Sequence, residues 1–308
     1  MNLPVSIIVP TYNEAADIQD TLEALMVLDY DDLEVLVVDA SSDATPQIVS
    51  RYPPERVRLV RQSRGRGRAA ARNEGILLAR GEIVIILNAD VRLPRDFIRR
   101  LLPHYQAGAE YVLVESVVTN TEHATARYIQ ALHKLHYPAR PEVETNMSWT
   151  EGFSCRRAAA IAVGLIPEGA AVPLVAGEDG WFGEKLAAAG YRKIFDRTLI
   201  VTQVMPPDLS GFWHQRAGRG QGAIQVWYMR DGWSFRRIVI IVARLCFLST
   251  LSLLFPVLPL YRAFALAYYS PRGRADWLTF AALDWLESLA NLCGLINGVV
   301  ELYRAGVR

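Results

Sequence analysis

Residues 5–14 read V-S-I-I-V-P-T-Y-N-E. Val5–Pro10 is an apolar, β-rich run, and it delivers the chain into the polar turn Thr11-Tyr12-Asn13-Glu14. The same pattern repeats downstream. Residues 15–28 place Ile18, Leu22, Leu25 and Met26 at helical spacing. Glu34–Asp39 contains V-L-V-V and ends on a carboxylate, and Thr45–Tyr52 opens a short helix with Thr-Pro. Val57–Val60 is a short strand, residues 69–79 are helical, and Glu82–Asp90 carries I-V-I-I-L ahead of Asn88-Ala89-Asp90. Short apolar strands alternating with helices predict an α/β fold with a mostly parallel sheet covered on both faces. Such sheets bind ligands beyond the carboxyl ends of their strands. Three of those ends carry Thr11–Glu14, Asp39 and Asp90.

The chain has 308 residues, with 33 Lys+Arg against 32 Asp+Glu and a net charge of +1. At about 100–200 residues per domain this allows two domains, or one with a large extension. The near-neutral charge argues against a nucleic-acid partner held by a bulk positive field. With 21% charged and 51% hydrophobic residues, a largely disordered chain is excluded. The mean hydropathy of +0.13 is high for a soluble protein. Cys155, Cys246 and Cys293 are odd in number, widely spaced and without C-x-x-C, which excludes a disulfide scaffold and fits a reducing compartment. The run Val5–Val9 is too short for a secretory signal, and none is expected.

The middle of the chain is less regular. Tyr111–Val118 is a strand candidate, residues 121–137 are helical, and Thr150–Cys155 is followed by a helix near 157–163. A Gly/Pro-rich loop over 164–177 precedes a helix at 179–189 and a strand region at Tyr191–Thr202. The last part changes character. Ile238–Tyr269 is overwhelmingly apolar, broken by Arg244, Arg262, Pro256 and Pro259, and Trp277–Tyr303 is a second apolar stretch carrying Asp284, Glu287, Asn291 and Asn297. Ile238–Phe255 is 18 residues, near the minimum for a membrane span. The prolines favour a kink or hairpin. Arg236 and Arg237, Arg272 and Arg274, and Arg304 and Arg308 mark three junctions that all prefer the cytoplasm, which favours interfacial or re-entrant hairpins over single crossings. The other reading is a soluble helical subdomain or an oligomer interface.

Four groups of residues can carry chemistry. Asp90, at a strand end, is either a divalent-cation ligand or a turn residue before Leu93-Pro94. Glu178 and Asp179 either cap a helix N-terminus or supply a general base with a neighbour that tunes it. Arg216 and Arg219, among glycines, either approach a phosphate or form a solvated basic loop. Six arginines lie between Arg58 and Arg72 around Gly65-x-Gly67-x-x-Ala70. That spacing imitates a dinucleotide fingerprint but does not directly follow its strand, so the reading is rejected. No aromatic residues interleave with the patch, which argues again against nucleic acid. His133 and His136, like the other histidines, lack metal-ligand spacing and are assigned to the surface or an acceptor groove.

In this order, V-S-I-I-V-P-T-Y-N-E at 5–14, V-L-V-V-D-A-S-S-D-A-T at 35–45, A-R-N-E-G at 71–75 with A-R-G-E at 79–82, N-A-D at 88–90 and G-E-D at 177–179 resemble the family 2 glycosyltransferases. The resemblance covers about residues 5–230. It implies the GT-A fold, a nucleotide-sugar donor, Mg²⁺ or Mn²⁺, and inversion at the anomeric carbon. Carried over by position, Pro10, Thr11, Tyr12 and Glu14 would line the nucleotide pocket and Asp39 would contact the base or ribose. Arg66, Arg72, Asn88 and Ala89 are counted with the same donor site. Asp90 would ligate the metal, with Asn88 beside it where the family usually carries Asp. Asp179 would deprotonate the acceptor, with Glu178 as its neighbour. Arg216 and Arg219 resemble the basic motif that holds the diphosphate.

The expected organisation is a nucleotide-sugar-binding half at 1–115, an acceptor-binding and catalytic half at 116–235, and membrane-associated hydrophobic helices at 236–308. The expected enzyme is a hexosyltransferase-type transferase at the cytoplasmic membrane face, using a UDP- or GDP-sugar and a lipid-linked or polysaccharide acceptor. The alternatives are a catalytically degenerate scaffold, suggested by Asn88 and Ala40, and a sugar nucleotidyltransferase, whose expected Gly-rich first loop is replaced here by T-Y-N-E.

Overall fold

A computed structural model describes residues 3–136, 151–169, 172–254 and 257–307 of the chain. Tyr137, Thr150, Phe255, Pro256 and Arg308, which figure in the sequence reading, lie outside the described residues. The elements run β1 Val5–Thr11, α1 Ile18–Met26, β2 Leu33–Asp39, α2 Thr45–Val49, β3 Val57–Arg61, α3 Gly67–Leu78, β4 Ile83–Ile86, β5 Val91–Arg92, α4 Phe97–Gln106 and β6 Tyr111–Val118. They continue with α5 Ala124–His136, β7 Phe153–Arg156, α6 Arg157–Ala162, α7 Glu178–Ala188, β8 Lys193–Gln203, α8 Leu209–Met229, α9 Phe235–Leu254, α10 Val257–Ala267 and α11 Trp277–Arg304. Two compact units result. One combines Met1–Val117, Glu144–Glu168 and Glu178–Gln203; the other combines Val118–Val143, Gly169–Gly177 and Val204–Arg308. Residues 116–235 are therefore shared between the two.

The first unit holds an eight-stranded sheet in the order β3-β2-β1-β4-β7-β6-β8-β5. Strands β1 to β4 pair in parallel, as the sequence predicts. The other half does not. Strand β7 pairs antiparallel with β4 and with β6, and β5 with β8, so the sheet is mixed. Successive residues of a strand point to opposite faces, and here both faces are covered. Ile7, Val9, Val35, Val37 and Ile85 pack with Ile18, Leu22 and Phe97 on one face. Ile8, Leu36, Val38 and Ile86 pack with Ala71, Ile76 and Phe182 on the other. The ladder of β4 stops at Ile86, so Asn88-Ala89-Asp90 leave it as a turn. The single strand expected over 82–90 is thus a shorter strand followed by a turn, with β5 beyond it.

The second unit is helical. Helix α8 occupies residues that the sequence reading left without an element and places Arg216 and Arg219 on a helix rather than a loop. Its glycines have a packing reason. A Cβ at Gly294 of α11 would collide with the carbonyl of Ala217, and one at Gly220 with the carbonyl of Asn291. Glycine in a helix costs about 1 kcal/mol against alanine, and here it lets the two backbones meet. Tyr128, Phe212 and Phe280 form the aromatic centre of this unit. Among the described residues no helix is long and apolar enough to cross a membrane. Three arginines fall within α9 and three carboxylates within α11.

Candidate active site

The parallel register of β1 and β2 sets Thr11 directly beside Asp39. Thr11 Oγ1 donates to Asp39 Oδ1 at 2.8 Å, Ser41 N donates to the same oxygen at 3.2 Å, and Arg61 donates to Oδ2. Asp39 is buried, so its carboxylate is engaged by the protein itself. Beyond β1, Asn13 adopts a left-handed φ of 58°, a conformation Asn tolerates through local hydrogen bonds. Its amide N–H donates to Ser41 Oγ at 2.7 Å and its Oδ1 accepts from Ser42 N at 3.0 Å. Glu14 N donates to Thr45 Oγ1 at 2.9 Å. These bonds stitch the two strand-end loops together. Tyr12 is exposed and Pro10 half-buried on this rim.

The A-R-N-E-G segment lies in α3, and four of its residues have separate tasks. Arg72 is fully buried and donates from Nη1 to Glu178 Oε1 at 2.7 Å and from Nη2 to Asn88 Oδ1 at 2.8 Å. Asn73 Nδ2 donates to the Ile166 carbonyl at 2.8 Å and to Glu168 Oε1 at 2.7 Å. Glu74 accepts from Ser63 N and Arg64 N at 3.0 and 3.2 Å, holding the loop that enters the helix. Gly75 faces Ile8 so closely that any Cβ would collide with it. Arg68, one turn before Arg72, donates from Nε to Glu178 Oε1 at 3.0 Å. Arg66 is exposed at the start of the helix.

The two neighbouring carboxylates of α7 have opposite environments. Burial would raise the Glu178 carboxyl, but Arg68 and Arg72 outweigh it and hold the group below its usual range. Among the described residues Asp179 has no such ion pair. Burial, then the charges of Glu178 and Glu151, push it up to about 6. Gly180 N donates to its Oδ1 at 2.8 Å, so capping and a titration near neutrality coexist at one residue. A carboxylate of this kind can take a proton near pH 7.

At the end of β4, burial raises Asp90 above its usual range. Glu14 is raised as well, by burial and then by Asp90, Asp17 and Asp43. A divalent cation would relieve this crowding. Among the described residues no three His, Cys, Asp or Glu side chains converge as a metal cage. Mg²⁺ and Mn²⁺ do not require one, since one or two carboxylates plus substrate phosphates suffice for Mg²⁺-type sites. Asp90 therefore fits a metal-bound diphosphate. Asn88 fits less well than the sequence reading expects, because its Oδ1 is set against the Arg72 guanidinium. Ala89 is buried, and its carbonyl accepts from Arg92 Nη1 at 2.9 Å.

Arg216 and Arg219 belong to the helical unit. Arg216 is fully buried and 3.3 Å from Glu287 Oε1, and among the described residues its guanidinium nitrogens make no hydrogen bond. Burial, then the charge of Arg219, push it down to about 10. Arg219 is exposed. Sequence reasoning passed over Arg68, Arg61 and Glu151. The spacing of Arg68 from Arg72 was a usable signal, since residues four apart share a helix face. Nothing local marks Glu151.

Residues 6–163 match the profile described as Glycosyl transferase family 2. Succinoglycan biosynthesis protein ExoO of Rhizobium meliloti is 36% identical over 114 residues, which are 37% of this chain and 33% of that protein. Glycosyltransferase AglE of Haloferax volcanii is 28% identical over 249 residues, 76% of this chain and 77% of AglE. In structure, the mannosyltransferase PcManGT from Pyrobaculum calidifontis, solved with GDP-Man and Mn²⁺, superposes with a TM-score of 0.57 at 24% identity, covering 99% of this chain and 76% of that one. The likeness is one of fold. The chain matches about a third of the length of ExoO and about three quarters of that of AglE.

Proposed function

The chain belongs to glycosyltransferase family 2, and on that premise we propose that it transfers a sugar from a UDP- or GDP-sugar to a lipid-linked or polysaccharide acceptor, with inversion, at the cytoplasmic face of a membrane. The observation that carries the reading is the split between Glu178 and Asp179. One carboxylate is neutralised by two arginines, and the other is left as a base that titrates near neutrality. Asp179 accepts the proton of the acceptor hydroxyl. The freed oxygen forms a bond to the anomeric carbon while the bond to the diphosphate oxygen breaks, and the nucleoside diphosphate departs. Glu178 acts through position: it anchors Arg68 and Arg72 and keeps negative charge beside Asp179, which raises its basicity. The loops at 11–14 and 39–45 shape the nucleotide pocket. Asp90 would hold Mg²⁺ or Mn²⁺, which when bound neutralises charge developing on the diphosphate. The GDP-Man and Mn²⁺ in the PcManGT structure support the donor class and the metal.

The test is donor turnover by the purified chain across UDP- and GDP-sugars, with and without Mn²⁺. Asp179→Asn loses turnover by about two to four orders of magnitude, the usual contribution of a positioned base, and retains nucleotide binding. Unchanged turnover in that variant overturns the base assignment. Absence of both turnover and nucleotide binding in the parent chain favours a scaffold instead.

A further inference from the structure

A helix on a protein surface in water buries its apolar stripe and displays its charges. Helices α10 and α11 bury one apolar face, through Leu266 on α10 and Phe280, Leu283, Leu295 and Leu302 on α11, and display a second one. On α11, Leu278, Leu289, Ile296, Val300 and Tyr303 are exposed. Its carboxylates turn inward. Asp284 and Glu287 accept from Tyr128 Oη at 2.8 and 2.6 Å, and Glu301 accepts from Gln221 and Gln225 at 3.0 Å each. On α10, Val257 and Tyr261 are 73% and 72% exposed and recur with Phe264 at helical spacing along one face, and Tyr268, in the turn that follows the helix, is 77% exposed. Phe264 meets Trp277 edge-on at 5.8 Å, which carries the stripe to the start of α11, and Arg274 lies 4.7 Å over the Phe264 ring.

Charge is sorted as sharply as hydrophobicity. Asp276 is buried and receives Arg127 at 2.8 and 2.9 Å. No carboxylate side chain after residue 235 is exposed among the described residues, whereas Arg236, Arg237, Arg244, Arg262, Arg272, Arg274 and Arg304 all are. Of these, Arg262 pairs with Asp284 at 3.0 Å. The outer surface is thus apolar, aromatic and cationic.

We propose that the face formed by Val257, Tyr261 and Phe264 of α10, with Tyr268 and Trp277 beyond the helix and the flanking Arg272 and Arg274, docks on an anionic lipid surface. Tyrosine and tryptophan suit that boundary because one end of each ring is apolar and the other polar. The arginines complement lipid phosphates, and they sit beside the apolar stripe as in helices that lie in the interface. A second copy of this face would set arginine against arginine, which disfavours self-pairing. The inference deepens the membrane location proposed above and rests on that reading only for the site of the acceptor.

The experiment is flotation of the full chain with vesicles of phosphatidylcholine, with and without phosphatidylglycerol. The chain co-floats with the anionic vesicles and less with the neutral ones. Tyr261→Asp/Tyr268→Asp lowers the partition coefficient at least tenfold on both. Arg272→Glu/Arg274→Glu lowers it by about thirtyfold on the anionic vesicles only, the equivalent of about 1 kcal/mol for each arginine. Thermal melting of both variants verifies that they fold. Failure of the parent chain to float, or flotation of both variants like the parent, overturns the proposal. So does a dimer in sedimentation without lipid that Tyr261→Asp/Tyr268→Asp dissolves, since a second copy would then cover the face. Donor turnover in detergent is read on the same samples. Lost flotation in the parent chain with intact turnover rejects the docking face alone, and flotation of a parent chain that never turns over donor rejects the proposed function alone.

Discussion

Arg72 Nη1 lies 2.7 Å from Glu178 Oε1, and both side chains are closed off from solvent. The pair joins α3 to the first turn of α7 across 106 residues of sequence. Its consequence falls on the neighbouring residue. With Glu178 held as an anion beside it, Asp179 is the carboxylate whose ionisation is resisted.

Removing one member of this pair leaves a buried charge without its closest partner. Arg72→Ala is expected to cost about 3 kcal/mol or more, read as a lower urea midpoint. Arg72→Met combined with Glu178→Leu should recover much of that loss, because a buried ion pair and a packed apolar pair are often near-equal in stability. Turnover should not return with it. If the double variant is as unstable as Arg72→Ala, the pair is not the origin of the loss.

Asp179 predicts opposite effects on stability and activity. Its folded pKa is about 6, above the unfolded value of about 3.9. The folded state therefore holds a proton that the unfolded state has released, and stability falls as pH rises through that window. The cost is complete above about pH 6 and absent below about pH 4. Asp179→Asn removes it, so at pH 8 the variant should be more stable than the parent by on the order of 3 kcal/mol, while at pH 4 the two should melt alike. Turnover of the parent enzyme should rise with pH across the region of pH 6. Equal melting of variant and parent at pH 8 would refute the raised pKa.

Gly294→Ala tests the contact between α8 and α11. The added methyl meets the Ala217 carbonyl, a backbone atom that cannot move aside as a flexible side chain would. Overpacking of this kind typically costs about 1–3 kcal/mol, although alanine is the better helix former. Chemical denaturation of the full chain measures it. A neutral or stabilising result would mean that the helices do not approach so closely.

Tyr128→Phe isolates the polar centre of the helical unit. The hydroxyl donates toward Asp284 and Glu287, and its loss leaves buried carboxylate oxygens without that donor. A loss of about 1–3 kcal/mol is expected, measured by thermal melting. A melting temperature equal to the parent's would show that these carboxylates do not depend on the Tyr128 hydroxyl.

Periodicity and the strand ends were enough to identify β1, β2, β3, β4 and α3 and to gather Thr11, Asp39 and Asp90 at the carboxyl ends of the parallel strands, because alternation and helical spacing are properties of local sequence. The same local logic gave Glu178 and Asp179 a shared place without distinguishing them. That distinction needs Arg68 and Arg72, which arrive from another helix. It equally could not see that Asn88 would be turned to Arg72, or that β5 and β8 would pair antiparallel.

Helix α8 shows the limit most plainly. By itself, A-G-R-G-Q-G reads as a loop, since each glycine disfavours the helix. In the folded chain the missing side chains of Gly220 and Gly294 are what allow α11 to close against it. The sequence alone therefore determined which segments form the parallel strands and which residues can carry charge to their ends. Only the tertiary structure decided which of those charges are neutralised, because ionisation depends on the partners and the solvent that packing brings to a group or takes away.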